Sequence, residues 1–355
     1  MGFMSTEAEH QKNAGNRTFP EPEKDLFLVT GGGGFLGKAI VRQLISRGEK
    51  VRTFSRSYYP ELEKFAVDQV QGDIADKSAV EKACKGVRTI FHTAARAGVW
   101  GPYADYFSTN VTGTRNVLRA CRKYSVSEMI HSSSPSAVFD GNDVEGADES
   151  LPYPPSYHAH YPRTKAMAEQ EVRRAAASGL KVIILRPHLI WGPGDNHLVP
   201  RILSRAGRLR IVGEGRKKAD TIYIDNAAHA HILAADRLRE NSALSGKVYF
   251  ISQDAPVPLW DMVNAILAAG GLPPIHRRIS AGSAFFIGAV CEGVYKLLRL
   301  QSEPPMTRFL ARELATAHWF DIRAAKKDLG YRPAVSTEEG LSRLKEWLQS
   351  NPYNI

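Results

Sequence analysis

The stretch Thr30-Gly31-Gly32-Gly33-Gly34-Phe35-Leu36-Gly37 decides how this 355-residue chain is read. It follows an apolar run, Leu26–Thr30, and opens a segment of helical periodicity, Gly37–Arg47. Gly31, Gly34 and Gly37 stand in GxxGxxG spacing. The first two glycines permit a tight turn and let backbone approach a pyrophosphate, and the third lets the helix pack close to the strand. The helix start, at Phe35 and Leu36, then offers free amides and the positive end of its dipole to phosphates. Strand, glycine turn and helix in that order predict a dinucleotide site.

Working outward, short apolar runs alternate with amphipathic segments. The runs Val51–Phe54, Thr89–Thr93, Met129–Ser133 and Val182–Leu185 have the length of strands buried on both faces. Between them lie Ser78–Cys84, Tyr106–Tyr124 and Arg163–Ala177 with helical spacing. The alternation predicts an α/β fold, a Rossmann-type doubly wound parallel sheet over residues 25–186. Pro and Gly cluster in Arg186–Gly194 and the rhythm breaks. Residues 187–355 are expected to form mainly a smaller C-terminal substrate lobe over the carboxyl edge of the sheet, with a piece near 219–240 returning to it. The cleft between the two is the expected site. Ala284–Leu300 is apolar except for Glu292, Lys296 and Arg299, and Arg277 and Arg278 precede it. It reads either as a helix packed on the small lobe or as an interfacial helix or pocket wall, with peripheral membrane contact through 284–300.

Composition bounds the rest. Lys and Arg number 47 against 37 Asp and Glu, a formal charge of +10. That excess favours anionic ligands, but the basic residues are scattered and form no tail, so nucleic-acid binding is not expected. Cys84, Cys121 and Cys291 are far apart and lack metal-ligand spacing, so neither a disulfide framework nor a metal site is expected, and a cytoplasmic protein with reduced thiols is the simplest reading. Residues 1–24 are polar and read as a disordered leader. No uncharged apolar stretch is long enough to span a bilayer.

The second strand ends in Ser55-Arg56 rather than in a carboxylate. A hydroxyl and a guanidinium can hold a ribose 2′-phosphate that a carboxylate would repel, so NADPH is preferred over NAD. Asp73, with Ile74 beside it, follows Val70-Gln71-Gly72, read as the end of a third strand, and is placed to meet the adenine. Farther along, Tyr161-Pro162-Arg163-Thr164-Lys165 is YxxxK, and residues four apart share one helix face. An ammonium below Tyr161 is expected to lower its pKa toward the range general acid–base chemistry needs. The fifth strand ends in Ser132-Ser133-Ser134-Pro135-Ser136, where Ser134, or in its place Ser136, can orient a carbonyl in the cleft. Glycine turn, strand-end serine and YxxxK together point to hydride transfer at a carbonyl or alcohol.

On these motifs the chain resembles the extended short-chain dehydrogenase/reductases, and most of all their 3β-hydroxysteroid dehydrogenase-like branch. Phe91-His92-Thr93-Ala94-Ala95 resembles that family's fourth-strand end, which implies Ala94 and Ala95 on the nicotinamide side. Asn110 matches an asparagine that braces the active site in the family, and Arg186-Pro187-His188 resembles the entry to the substrate lobe, with Pro187 beside the cofactor. The span runs from about Leu26 to Leu348. Two groups in the branch are similar throughout it: the sterol-4α-carboxylate 3-dehydrogenases, and the bacterial 2-alkyl-3-oxoalkanoate reductases of olefin biosynthesis. Arg56-Ser57-Tyr58-Tyr59-Pro60, Ala97-Gly98-Val99-Trp100-Gly101 and Leu189-Ile190-Trp191-Gly192 look more like the second. Both groups handle a carboxylate beside the reacting carbon on a large apolar body. Trp100, Tyr103 and Trp191 are therefore candidate pocket walls, and Arg96 and His188 candidate carboxylate partners. A nucleotide-sugar epimerase shares the fold, but Leu189 stands where many of those carry Asn. A cofactor-sensing protein without turnover usually loses the Tyr or the Lys, and both are present. The long segments Tyr106–Tyr124 and Arg163–Ala177 imply, by analogy, a homodimer.

Overall fold

The computed structural model describes residues 26–351, so the expected leader at 1–24 lies outside the described residues. Seven parallel strands form the central sheet. Their spatial order is Val248–Ile251, Lys181–Pro187, Glu128–Ser132, Thr89–His92, Leu26–Thr30, Lys50–Ser55 and Asp68–Gln71. Leu26–Thr30 pairs with Lys50–Ser55 on one side and Thr89–His92 on the other. The chain reverses direction across the sheet at this first strand, and its carboxyl end is where the glycine turn begins.

Local chemistry explains the elements. Leu26–Thr30 is buried along its whole length, as a central strand covered on both faces must be. Gly31 follows with φ +70°, a backbone region that a side chain disfavours. Asp76 accepts from the amides of Ser78 and Ala79 and caps the helix Lys77–Cys84. The expected helix Tyr106–Tyr124 is instead composite: a π-helical stretch, Phe107–Thr112, precedes the helix Gly113–Lys123. Wide turns of this kind re-aim side chains, and this one carries Asn110.

The small lobe is built differently from the expected piece near 219–240. Ile222–Tyr223 does not join the large sheet but pairs with Ile190–Trp191. What returns is the helix Ile224–Glu240, which packs on the first helix, Phe35–Ser46, and on the central strands. The edge strand Val248–Ile251 then adds beside Lys181–Pro187. The sheet layer is thus finished by residues well past Arg186. A second, four-stranded sheet, containing His318–Phe320 and Val144–Ala147, lies in the small lobe.

Candidate active site

The glycine turn is built as a cradle for backbone contact. A Cβ on Gly37 would collide with the Gly31 carbonyl oxygen, and one on Gly31 would lie 2.9 Å from the Cα of Ala94. The Gly34 amide closes the turn onto Gly31 O at 2.8 Å. No side chain caps the helix at Gly34, so the amides of Phe35 and Leu36 face outward without an intrahelical acceptor. Bare backbone, free amides and a positive dipole end fit a dinucleotide pyrophosphate. Ser55 Oγ accepts from the Gly33 amide at 3.1 Å and so steadies the turn from the second strand. The Arg56 side chain is exposed and has no ion-pair partner among the described residues. Asp73 accepts from the Ala75 amide at 2.8 Å, and the Ile74 side chain is buried against Gly113. Ala94 N donates to Thr30 Oγ1 at 3.3 Å, so the fourth strand's end is tied to the first. His92 beneath them is buried between Thr30 Oγ1 and Thr114 Oγ1, and burial drives its pKa down to about 3, which keeps it neutral.

Tyr161 enters the cleft from the first turn of the helix His160–Ala177. Pro162 is tolerated there because a first turn needs no intrahelical donor. Ser134, just past the end of the fifth strand, lies near enough to the Tyr161 hydroxyl to favour its ionised form. Ser136 stands behind it, donating from Oγ to Ser134 Oγ at 2.9 Å. Of the two serines it is therefore Ser134 that faces the phenol. Burial raises the Tyr161 pKa to about 12, against the lowering effect of Ser134, with the charges of Glu313 and Tyr106 adding to the rise. The expected lowering by Lys165 is not seen. Lys165 Nζ is buried one turn below and donates to Ser132 O at 2.6 Å, so its charge is spent on the strand end. Burial lowers Lys165 to about 8, and Glu169 partly offsets this.

Glu169 continues the same face, four residues beyond Lys165. It accepts from Ser133 Oγ at 2.5 Å and Tyr153 OH at 2.8 Å, and from Arg186 Nε and Nη2 at 3.1 and 2.6 Å. Burial alone would push its pKa up, but Arg186, Ser133 and Tyr153 outweigh it and hold the carboxylate low. This ion pair pins the catalytic helix to the fifth and sixth strands. The repeat Tyr161, Lys165, Glu169 at four-residue spacing is the sequence signal for it. Asn110 is the second clamp. Its Oδ1 accepts from Arg96 N at 2.7 Å, and its Nδ2 donates to Arg96 O and Thr164 Oγ1 at 3.1 and 2.9 Å. With its amide fully engaged, Asn110 ties the Arg96 backbone to the catalytic helix.

The proposed substrate residues fare unequally. Trp191 has 0% of its surface exposed; its ring packs against Tyr223, with its Nε1 on Thr221 Oγ1, so it belongs to the core and not to a pocket wall. His188 is buried against Phe320 and shares a 2.7 Å hydrogen bond with His318. Burial and the neighbouring imidazole lower its pKa well below the usual value, so it cannot serve as a cationic carboxylate partner. Pro187 is buried at the end of the sixth strand, paired with Ile251. Tyr103 lies over His160, Arg163 and Met167, on the side of the catalytic helix away from Tyr161 and Lys165. Arg96 keeps a half-exposed guanidinium over the Tyr106 ring, 3.4 Å from Asp105. Trp100 Nε1 donates to Leu300 O at 3.2 Å, and its ring meets Tyr295 edge-on.

The small lobe adds groups that no spacing announced. Glu303 binds Arg201 at 2.5 Å and Arg205 at 3.2 Å, and its charge reaches Tyr106. Burial pushes the Glu313 carboxyl up to about 7, opposed by Arg201, and its charge acts on Tyr161. Together the strand-end serine, the paired phenol and the buried ammonium beside a bare glycine turn can hold a carbonyl oxygen and move one proton to or from it.

The chain matches over residues 28–279 the family described as 3-beta hydroxysteroid dehydrogenase/isomerase. It is 51% identical over 323 residues to a 2-alkyl-3-oxoalkanoate reductase of Stenotrophomonas maltophilia, covering 90% of this chain and 98% of that one. It is 32% identical to the decarboxylating sterol-4-alpha-carboxylate 3-dehydrogenase of Mus musculus, covering 89% and 88%. Among solved structures it resembles gox2253 with a TM-score of 0.76 at 27% identity, covering 92% and 98%.

Proposed function

We propose, since the chain belongs to the 3-beta hydroxysteroid dehydrogenase/isomerase family and is an extended short-chain oxidoreductase working between an alcohol and a carbonyl carbon, that it reduces a lipophilic β-keto acid of the 2-alkyl-3-oxoalkanoate kind to the β-hydroxy acid with NADPH. The observation that carries the chemistry is the Tyr161 hydroxyl beside Ser134, with Lys165 one turn below and the glycine turn alongside. The substrate class is supported by half-identity, over nearly the full length, to a relative of that name.

Phe35 and Leu36 amides would hold the pyrophosphate, and Ser55 and Arg56 the ribose phosphate. When bound, the nicotinamide supplies a hydride to the carbonyl carbon. Ser134 donates a hydrogen bond that orients the carbonyl and polarises it. Tyr161, protonated through the neutral range because burial raises its pKa, delivers its proton to the oxygen as the alcohol forms. Lys165, anchored on Ser132 O one turn below the phenol, would hold the ribose. Arg96, whose backbone is held by Asn110 and whose guanidinium is half-exposed beside Asp105, is the remaining candidate for the substrate carboxylate.

The sterol reading also fits the family match and the mouse relative. It calls for oxidation of a 3β-hydroxyl, and the free Arg56 guanidinium favours the reductive direction instead. The test is NADPH oxidation with a 2-alkyl-3-oxo fatty acid beside a 3-ketosteroid, and the reverse reaction from a 3β-hydroxysterol acid. Turnover of the fatty acid above the steroid is expected; turnover of the sterol acid alone overturns the assignment.

A further inference from the structure

The helix Ala281–Leu297 packs inward by one face and leaves an apolar face on the opposite side. The inner one is Ala284, Gly288 and Glu292, each four residues from the last. A Cβ on Gly288 would lie 2.6 Å from the Thr307 carbonyl carbon, so the helix sits directly on the start of the helix Arg308–Ala315. Glu292 closes this contact, accepting from Arg308 N at 2.8 Å and Arg308 Nε at 2.9 Å. The outer face is Phe286, Ile287, Val290, Val294 and Leu297, continued by Leu298, and all six are exposed. Phe286 shows 69% of its surface, Leu297 83% and Leu298 60%. Seven of the eight large hydrophobic residues exposed among the described residues lie between 286 and 300. An apolar patch gathered on one helix face is a contact surface rather than incidental exposure.

Its rim identifies the partner. Arg277 and Arg278 precede the helix, Lys296 and Arg299 close it, and all four are exposed with no carboxylate in ion-pair range among the described residues. The two carboxylates of the stretch are already neutralised, Glu292 by Arg308 and Glu303 by Arg201 and Arg205. A second copy meeting this face about a twofold axis would set four cations against four cations. An anionic bilayer meets both demands at once, with acyl chains for the stripe and headgroups for the rim. Among the described residues no helix is long and apolar enough to cross a membrane, so the element would lie on the surface. The same helix borders the cleft. Trp100, from the loop next to Arg96, is tied to Leu300 O and to the Tyr295 ring, and the Lys296 charge reaches His160, the neighbour of Tyr161.

We infer that the outer face of Ala281–Leu297, with its basic rim, docks this protein on anionic phospholipid surfaces beside the mouth of its cleft. The docking stands apart from the identity of the substrate. Its test reads vesicle binding, so the loss of either reading leaves the other intact.

The full-length chain is floated with vesicles of phosphatidylcholine alone and of phosphatidylcholine with phosphatidylglycerol, at low and high salt. Binding is expected to the mixed vesicles, at least tenfold weaker without phosphatidylglycerol and weaker at high salt. The variant F286E/L297E alters only exposed side chains. It is expected to keep the melting temperature and to lose flotation, while R277E/R278E is expected to bind at least tenfold more weakly. Failure of the unaltered protein to float with the mixed vesicles overturns the proposal. So does flotation that persists in F286E/L297E. A dimer at micromolar concentration that falls to monomer in F286E/L297E assigns the face to a second copy and overturns it as well.

Discussion

Replacing Glu169 by Gln tests the claim that the catalytic helix is held by one buried ion pair. The carboxylate is 0% exposed and the Arg186 guanidinium 1%, so neither can be rescued by water. Gln keeps the shape but leaves Arg186 as an uncompensated buried cation, a change that costs about 3–5 kcal/mol. With an unfolding entropy of about 2.1 cal/mol/K per residue, the full chain of 355 residues loses ~0.75 kcal/mol per degree near its midpoint. The expected fall in Tm is then about 4–7 °C by calorimetry. The double variant E169M/R186M removes both charges and fills similar volume, and it should melt above E169Q by several degrees. The pH dependence has a definite sign. Because the folded state holds Glu169 below its ordinary pKa, its contribution is fully present above about pH 4.3 and is lost as pH falls through the lower folded value, so the gap between native and variant closes in acid. A Tm within one degree of the native protein, or a double variant no more stable than E169Q, would falsify the assigned role.

Three further outcomes follow from the site. Tyr161→Phe should cut kcat roughly 100-fold or more while the NADPH affinity measured by fluorescence titration stays the same, since only the proton donor is removed; a drop in affinity with little change in kcat contradicts this. Arg56→Glu should raise KM for NADPH by roughly 10- to 100-fold and leave NADH little changed, as expected for a lost charged hydrogen bond of about 1.5–3 kcal/mol replaced by repulsion; an unaltered ratio of kcat/KM for the two cofactors refutes the phosphate contact. The reductive rate should decline as pH rises through about 8, where Lys165 loses its proton, and stay level below that while Tyr161 remains protonated; a profile level to pH 10 removes Lys165 as a charged participant.

Some of the site was legible because its signals are local. Gly31, Gly34 and Gly37 constrain a turn that any chain of that spacing must make, and the strand before it and the helix after it show in periodicity alone. Tyr161 and Lys165 share a face because a helix has a fixed pitch. The strands at Leu26–Thr30 and Val182–Leu185 were likewise visible as continuous apolar runs. Trp191 and His188 were misjudged for a shared reason. An aromatic or an imidazole in a loop past the sixth strand looks like a pocket residue, and only its distant neighbours, Tyr223 and Thr221 for one and His318 and Phe320 for the other, show it to be sealed in the core. Val248–Ile251 was missed because four residues carry little periodicity.

The sequence by itself determined the layered α/β plan, the place of the dinucleotide turn, and the pairing of a phenol and an amine one helical turn apart. These depend on residues within about one turn or one strand of each other, where backbone geometry leaves few choices. Only the tertiary structure decided where the charges go. It turned Lys165 onto Ser132 O, buried Glu169 against Arg186, and brought the charge of Glu313, itself opposed by Arg201, from the small lobe to act on Tyr161. It also left the outer face of Ala281–Leu297 uncovered. Burial and partnership belong to pairs of residues far apart in the chain, and the dielectric around a charge is set by everything folded about it.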